Sequence, residues 1–269
     1  MGLREILGLT PKKTIDHLDF IIAGVQKGGT SALHWFFDQH PHITMAHPEE
    51  AHMVNHPHRH FFDDEKRFAN PPVDHDFLHR GIRFKPDTLV TGSVTPIYTY
   101  WRPAMQRIYD YHPGIKLIIL LRNPMDRAFS HWNMERDRKH EALDFMEAVA
   151  AEAERIRQAL PLQPRGTSYV DRGFYAEQMD RVFRYFPREQ VHVIKFDNFR
   201  SKWRETVDAA FRFVGVEPLQ KIENKEQNKI TYVRRMTLEE RRHLYAIYEA
   251  DIDKLEQLLG WDCSDWKKV

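Results

Sequence analysis

Short apolar runs recur along the chain and alternate with amphipathic segments. The first run is 20–23 and the longest is 115–121, which reads Ile-Lys-Leu-Ile-Ile-Leu-Leu. A continuous aliphatic run of this length is typical of a central parallel strand that is covered on both faces. Further strands are predicted at 89–92 and 191–196, each bounded by polar or turn-forming residues.

Apolar residues spaced by three or four predict helices between these strands. The segment 173–186 shows the spacing clearly, with one apolar face made by Tyr175, Met179, Val182 and Phe186. The predicted helices cover 30–39, 103–112, 125–140, 144–160, 173–186, 203–214 and 238–259. Strands alternating with helices predict an α/β protein of three layers, with a central, mainly parallel sheet flanked by helices.

The chain of 269 residues is long enough for one substantial hydrophobic core, and it contains no internal repeat or low-complexity linker. We therefore predict a single domain over 19–269, preceded by an N-terminal arm over 1–18. The least regular part is 40–80, which is rich in histidine and proline. A charged, loop-like stretch over 220–235 precedes the last predicted helix.

Composition describes an ordinary soluble protein, with 42% hydrophobic and 29% charged residues. The net charge of +1 gives no overall field that favours nucleic acid or an anionic membrane. The single cysteine, Cys263, excludes an intramolecular disulfide. No apolar run approaches the roughly 20 residues that span a bilayer, and the N-terminus lacks the apolar core of a signal peptide. These features predict a cytoplasmic protein without a transmembrane segment.

The first predicted strand leads into a glycine-rich turn, Gly24-Val-Gln-Lys-Gly-Gly-Thr-Ser31, and then into a helix. Glycines let a ligand approach the backbone closely, and the helix N-terminus adds partial positive charge. The sequence thus predicts a P-loop-like anion site. An ATP-binding P-loop would place its lysine directly before the hydroxyl residue. Here Lys27 comes three residues before Thr30, so the turn does not match that motif.

The strongest predicted strand also ends in an anion-binding pattern. Arg122 follows the strand, and Ser130 lies one or two helical turns further on. A magnesium-dependent nucleotide enzyme commonly has an aspartate at such a strand end. An arginine with a hydroxyl group instead binds phosphate directly and holds no metal. Two metal-free anion sites at adjacent strand ends predict a ligand with two separated phosphates.

Both motifs resemble those of sulfotransferases. The turn 24–31 looks like the 5′-phosphosulfate loop of that family, and Leu120-Leu-Arg-Asn-Pro124 through Ser130 looks like its 3′-phosphate motif. The resemblance extends from Asp19 to about Trp266 and is closest to the branch of heparan sulfate sulfotransferases and their bacterial relatives. It implies transfer of a sulfuryl group from 3′-phosphoadenosine 5′-phosphosulfate (PAPS) to an acceptor.

The resemblance implies a role for each matching residue. Lys27 would neutralise the charge that develops on the bridging oxygen as the sulfuryl group leaves. The 5′-phosphate would be surrounded by Lys27, Gly28, Gly29, Thr30 and Ser31. The 3′-phosphate would be bound by Arg122 and Ser130, with further contacts from Lys229, Thr231 and Arg234.

A base must also accept the proton of the acceptor hydroxyl. Related glycan enzymes carry a Lys-Glu-x-His-Phe-Phe segment whose glutamate is that base. Pro48-Glu-Glu-Ala-His52 is similar to its first part, which makes Glu50 the candidate base and His52 a supporting group. His60-Phe-Phe-Asp63 is similar to its second part but lies eight residues later. If that later segment is the equivalent, Arg59 and His60 occupy the site instead.

Two further patterns lie near these segments. His56, His58 and His60 alternate and would share one face of a strand, as metal ligands do, but surface histidines in a loop need no metal, and we predict none. The family's Gly-Glu-x-Thr-Pro-x-Tyr motif is similar to 92–98, with Ser93 in place of the acidic residue.

The sequence as a whole predicts a PAPS-dependent sulfotransferase that uses metal-free in-line transfer. Its predicted acceptor is a hydroxyl group of a glycan or of a small metabolite. A kinase-like nucleotide-dependent transferase and a non-catalytic nucleotide-binding protein are the alternatives.

Overall fold

The computed structural model describes residues 14–46, 60–79, 82–224 and 232–269. Within these ranges five parallel strands form one sheet with the spatial order β2-β3-β1-β4-β5. The strands are β1 (Phe20–Gly24), β2 (Ile43–Met45), β3 (Val90–Val94), β4 (Lys116–Leu121) and β5 (Val191–Lys195). The predicted α/β fold with a central parallel sheet is thereby confirmed.

Helices cover both faces of the sheet. In chain order they are α1 (Thr30–Asp38), α2 (Glu65–Phe68), α3 (Asp76–His79), α4 (Ala104–Tyr111), α5 (Pro124–Asp137), α6 (Phe145–Ala159), α7 (Tyr175–Tyr185), α8 (Phe196–Ser201), α9 (Trp203–Val214) and α10 (Leu238–Leu259). The seven longer helices lie where the apolar spacing predicts them. The short helices α2, α3 and α8 and the edge strand β2 were not predicted.

β1 and β4 are buried on both faces of the sheet, as expected for strands with continuous aliphatic runs. Alternate residues of β4 point to opposite faces of the sheet, so Ile118 and Leu120 pack with α1 and α9. Leu117 and Ile119 belong to the larger cluster on the other face, with side chains from α4, α5, α7 and α10. The result is the predicted arrangement of three layers.

The predicted N-terminal arm is described only from residue 14. No helix is found in 14–18, and the buried Leu18 is fixed to the core because its N–H donates to the Tyr111 hydroxyl at 2.7 Å. Residues 1–13 lie outside the described ranges, and the domain boundary at 18/19 stays a prediction.

Candidate active site

The strand order brings the two predicted anion motifs together. β1 lies between β3 and β4. The connection after β1 leads to β2 at one edge of the sheet, whereas the connection after β4 leads to β5 at the other edge, so the direction of the connections reverses between β1 and β4. In open α/β sheets, ligands bind beyond the carboxyl ends of the strands at such a reversal. The turn after β1 and the turn after β4 meet there, since the Val25 N–H donates to the Leu120 carbonyl at 3.0 Å.

The glycine turn is tightly packed around its backbone. A Cβ atom on Gly28 would lie 2.6 Å from the Leu120 carbonyl oxygen, and one on Gly29 would lie 2.9 Å from the Phe196 ring. Gly29 has a φ of +100°, a left-handed conformation that disfavours other residues. The two glycines therefore allow the turn to close against β4 and against the residue that follows β5.

The N-terminus of α1 points into this turn. No described side chain caps the helix there, and its first turn carries no acidic residue. Its first amides and its positive dipole end thus favour an anion. Thr30 is buried in this first turn, whereas Ser31 is exposed.

Lys27 occupies the centre of the turn in a left-handed conformation, with φ 70°. Its ammonium lies 3.8 Å from the Met134 sulfur on α5. Burial, followed by the positive charges of Arg122, Arg138 and Arg127, lowers the pKa of Lys27 to about 8, and Glu135 opposes that shift. The ammonium remains the main form at neutral pH, but it lies in a strongly cationic site.

Arg122 connects the two motifs directly. Its Nη1 donates to the Lys27 carbonyl at 3.3 Å, and its guanidinium lies 5.1 Å from the centre of the Phe196 ring. Asn123 then starts α5, since its side chain accepts the Met125 N–H at 3.0 Å. Ser130 follows on α5 and is buried.

Two buried arginines beside the site were not predicted from the sequence. Arg127 is fully buried on α5, and its Nε and Nη1 have no hydrogen-bond partner among the described residues. Arg172 lies in the 3₁₀ turn Asp171–Gly173 and donates to the Gln26 side chain, one residue before Lys27. Burial lowers the pKa of Arg172 to about 10, so it stays protonated at neutral pH.

The predicted acid–base residues are only partly within the described ranges. Glu50 and His52 lie outside them. His60 is described, and its Nδ1 lies 2.9 Å from the buried carboxylate of Asp63. Arg165 also binds that carboxylate, so Asp63 orients the imidazole and a guanidinium together. Among the three aligned histidines, His56 and His58 fall outside the described ranges.

Of the three C-terminal residues predicted to contact the 3′-phosphate, one lies within the described ranges. Lys229 and Thr231 lie outside the described ranges. Arg234 is held by Glu240, with Nη1 2.8 Å from Oε2 and Nη2 2.5 Å from Oε1. Its guanidinium also lies 5.4 Å from the centre of the Phe129 ring. A phosphate contact by Arg234 would have to share this guanidinium with Glu240.

The described residues contain no group of three or more His, Cys, Asp or Glu side chains arranged to hold a metal ion. Among their helices, none has both the length and the apolarity to cross a membrane.

Comparison with known proteins gives consistent matches over most of the chain. A family model described as a sulfotransferase domain matches residues 17–252. The crystal structure of a sulfotransferase from Alicyclobacillus acidocaldarius aligns with a TM-score of 0.76 at 30% sequence identity, covering 94% of this chain and 100% of that one.

Two curated relatives are vertebrate enzymes. Heparan sulfate glucosamine 3-O-sulfotransferase 5 of Mus musculus is 26% identical over 201 residues, which are 74% of this chain and 53% of that protein. Bifunctional heparan sulfate N-deacetylase/N-sulfotransferase 2 of Homo sapiens is 28% identical over 218 residues, 77% of this chain and 23% of that protein. The chain thus spans about half the length of the first relative and about a quarter of the second.

Proposed function

This chain belongs to the sulfotransferase domain family, and on that premise we propose that it transfers a sulfuryl group from PAPS to an acceptor hydroxyl without a metal ion. The observation that carries the proposal is the contact between the two anion motifs. Arg122 Nη1 donates to the Lys27 backbone carbonyl at 3.3 Å, and the Arg122 charge also acts on the Lys27 ammonium, so both cations belong to one site where β1 and β4 end. This pair suits a nucleotide that carries separate 5′ and 3′ phosphates.

The residues present fit such a donor. The uncapped end of α1, the glycines of the turn and the Lys27 ammonium suit the 5′-phosphosulfate, while Arg122 and the Ser130 hydroxyl suit the 3′-phosphate. The donor supplies a sulfuryl group whose bond to the 5′-phosphate oxygen breaks as the acceptor oxygen bonds to sulfur, and the electron pair of the broken bond stays on the phosphate oxygen.

Within this proposal Lys27 is the principal catalytic cation. Its ammonium neutralises the negative charge that grows on the leaving oxygen, an effect that is strong in a partly desolvated site. Burial, followed by the charges of the arginines, lowers the pKa of Lys27 to about 8, and this makes its proton easier to share with that oxygen. The Met134 sulfur, 3.8 Å from the ammonium, is the contact of the Lys27 side chain on α5.

We propose Glu50, supported by His52, as the base that takes the acceptor proton, with His60 as the alternative. The pairing of His60 Nδ1 with Asp63 supports the alternative, because a carboxylate that fixes one ring nitrogen leaves the other free to accept a proton. Comparing Glu50→Gln with His60→Asn discriminates between them. The substitution that removes the base lowers kcat by roughly 10²–10⁴-fold, and the other leaves most of it.

The acceptor is proposed to be a hydroxyl of a glycan or of a small metabolite, and the protein is proposed to act in the cytoplasm. The name of one relative, heparan sulfate glucosamine 3-O-sulfotransferase 5, makes a glycan hydroxyl a reasonable first acceptor to test.

The proposal is tested with sulfur-labelled PAPS, a chelator and a panel of glycan, phenolic and aliphatic acceptors, together with calorimetric titration of adenosine 3′,5′-bisphosphate. We expect labelled product in the presence of the chelator and binding of the bisphosphate. If the protein does not bind the bisphosphate, the proposal is wrong. Tight binding of ATP with magnesium in its place would favour the kinase-like transferase, and bisphosphate binding without transfer would favour a non-catalytic binding protein.

A further inference from the structure

Arg172 is the most extensively bonded side chain near the candidate site, and it is 3% exposed. Its Nε donates to the Ser168 hydroxyl at 2.7 Å, and its Nη2 donates to the carbonyl oxygens of Pro164, at 3.2 Å, and Arg165. Its guanidinium also lies 4.7 Å from the centre of the Tyr100 ring. These contacts fix the plane of the guanidinium before any ligand is present.

The remaining nitrogen, Nη1, donates to the side-chain oxygen of Gln26. Gln26 is half-buried and directly precedes Lys27 in the turn. The turn is also held by the backbone bonds of Val25 and Gly28 on either side of these two residues, and by the Arg122 bond to the Lys27 carbonyl. The bond from Arg172 therefore constrains the part of the turn that carries the Lys27 side chain.

The same guanidinium also reaches the opposite side of the site. It binds the Arg165 carbonyl, and the Arg165 side chain binds the carboxylate and the carbonyl of Asp63. Asp63 in turn holds His60. One buried cation thus connects the turn that carries Lys27 with the His60–Asp63 pair, although these elements are far apart in the sequence.

We propose that Arg172 is a positioning residue that acts through Gln26 and sets the place of Lys27 relative to the His60–Asp63 side of the site. The inference rests on the proposed function, since it concerns the geometry of sulfuryl transfer. All three nitrogens of the Arg172 guanidinium already have hydrogen-bond partners among the described residues. Its effect is to hold the ammonium of Lys27 within the narrow range of positions that transfer requires.

The test replaces the acceptor atom of this bond and keeps the arginine. Gln26→Met has a similar length, and its thioether sulfur is a much weaker acceptor for the Arg172 hydrogen bond than the amide oxygen. Gln190→Met is the matched control, because the Gln190 side chain donates to two backbone carbonyls, those of Pro113 and Ile115, near the start of β4 and away from the site. Cleavage of sulfur-labelled PAPS is measured with water as acceptor, so that the result does not depend on the natural acceptor.

We expect Gln26→Met to lower kcat by roughly 10- to 100-fold, as misplacement by about 1 Å does. The KM for PAPS, the affinity for adenosine 3′,5′-bisphosphate and the Tm should stay close to wild type, and Gln190→Met should keep its kcat. The double variant Gln26→Met with Arg172→Lys should lower kcat by less than the product of the two single effects, because both changes break the bond between Arg172 and Gln26. If Arg172→Lys does not fold, the comparison of Gln26→Met with Gln190→Met decides.

The inference is overturned if Gln26→Met keeps the wild-type kcat, or if its kcat, bisphosphate affinity and Tm all fall together as in general structural damage. A wild-type protein that binds the bisphosphate but transfers to neither water nor any panel acceptor would refute the proposed function, and this inference with it. A wild-type protein that transfers normally alongside an unaffected Gln26→Met variant would refute this inference alone.

Discussion

Lys27 is a half-buried cation whose charge is opposed by three arginines. Burial and the positive charges of Arg122, Arg138 and Arg127 all disfavour its ammonium form, while Glu135 partly compensates. Such an arrangement destabilises the free protein, and it becomes favourable when an anion enters the site. Trading stability for function in this way is common at sites that bind charged ligands.

Replacing Lys27 should therefore stabilise the free protein while abolishing transfer. Between pH 8 and about 10.5 the unfolded chain binds the Lys27 proton and the folded chain does not, so wild-type stability rises with pH relative to Lys27→Met in this window. At pH 7 the variant should be more stable by at most on the order of 3 kcal/mol. Urea unfolding at pH 7 and at pH 10 measures the difference.

Lys268→Met provides the control for this comparison, because Lys268 is exposed. Its stability should follow that of the wild type at both pH values. A Lys27→Met variant that is less stable than wild type at pH 7, or that retains transfer, would contradict the assignment.

The turn and the helix that follows it form the part of the site that is most sensitive to backbone changes. Gly29 and Gly215 have the same φ of +100°, but their surroundings differ. A Cβ atom on Gly29 would lie 2.9 Å from the Phe196 ring, whereas nothing lies within 4 Å of one on Gly215. Alanine substitutions at these two glycines therefore distinguish the stability lost through the left-handed backbone conformation from the stability lost through crowding of the new methyl group.

Gly215→Ala should lose about 1 kcal/mol of stability from its backbone conformation alone. Gly29→Ala should lose roughly 1–3 kcal/mol more, because its methyl group displaces Phe196, the ring on which Arg122 lies. Only Gly29→Ala should weaken bisphosphate binding. Urea unfolding and calorimetric titration measure the two effects, and equal behaviour of the two variants would show that the packing at Gly29 is unimportant.

Element boundaries show where local sequence patterns are informative. The pattern predicts a helix over 125–140, but α5 ends at Asp137 because Lys139 takes a φ of 61° and the His140 N–H returns to the Glu135 carbonyl at 2.9 Å. β2 has only three residues at the edge of the sheet, too few to show a periodicity. Long amphipathic helices and buried strands were predictable because each repeats its pattern over several turns or residues.

At the scale of the whole molecule, the site joins segments that the sequence keeps far apart. The glycine turn and the Arg122 motif were predictable, because each is a local pattern on a strand-to-helix connection. The link from Arg172 to Gln26 and the binding of Asp63 by Arg165 were not, because they depend on how the segment between α6 and α7 packs over the sheet. No local signal in the sequence distinguishes these arginines from the many others.

Ligand binding should stabilise the whole fold and report the two anion positions separately. Adenosine 3′,5′-bisphosphate should raise the Tm more than adenosine 5′-monophosphate, since only the former carries the 3′-phosphate that we propose Arg122 binds. In Arg122→Met the difference between the two nucleotides should become much smaller, because the lost charged contact is worth about 1.5–3 kcal/mol, or roughly 10- to 100-fold in Kd. Thermal unfolding at matched nucleotide concentrations measures this.

The exposed Arg212 on α9 supplies the control for that experiment. Arg212→Met should keep the wild-type difference between the two nucleotides. If Arg122→Met also keeps it, the 3′-phosphate is bound elsewhere.

The position of β1 between β3 and β4 has a consequence for how the protein assembles. β1 precedes the other described strands along the chain, yet Phe20 is in register with Gly92 on one side and with Lys116 on the other. Both pairings close long stretches of chain, which slows folding and makes it depend on distant contacts. The glycine turn is therefore synthesised before β4 and completed only when β4 has docked, and we expect nucleotide binding during refolding to report that docking step.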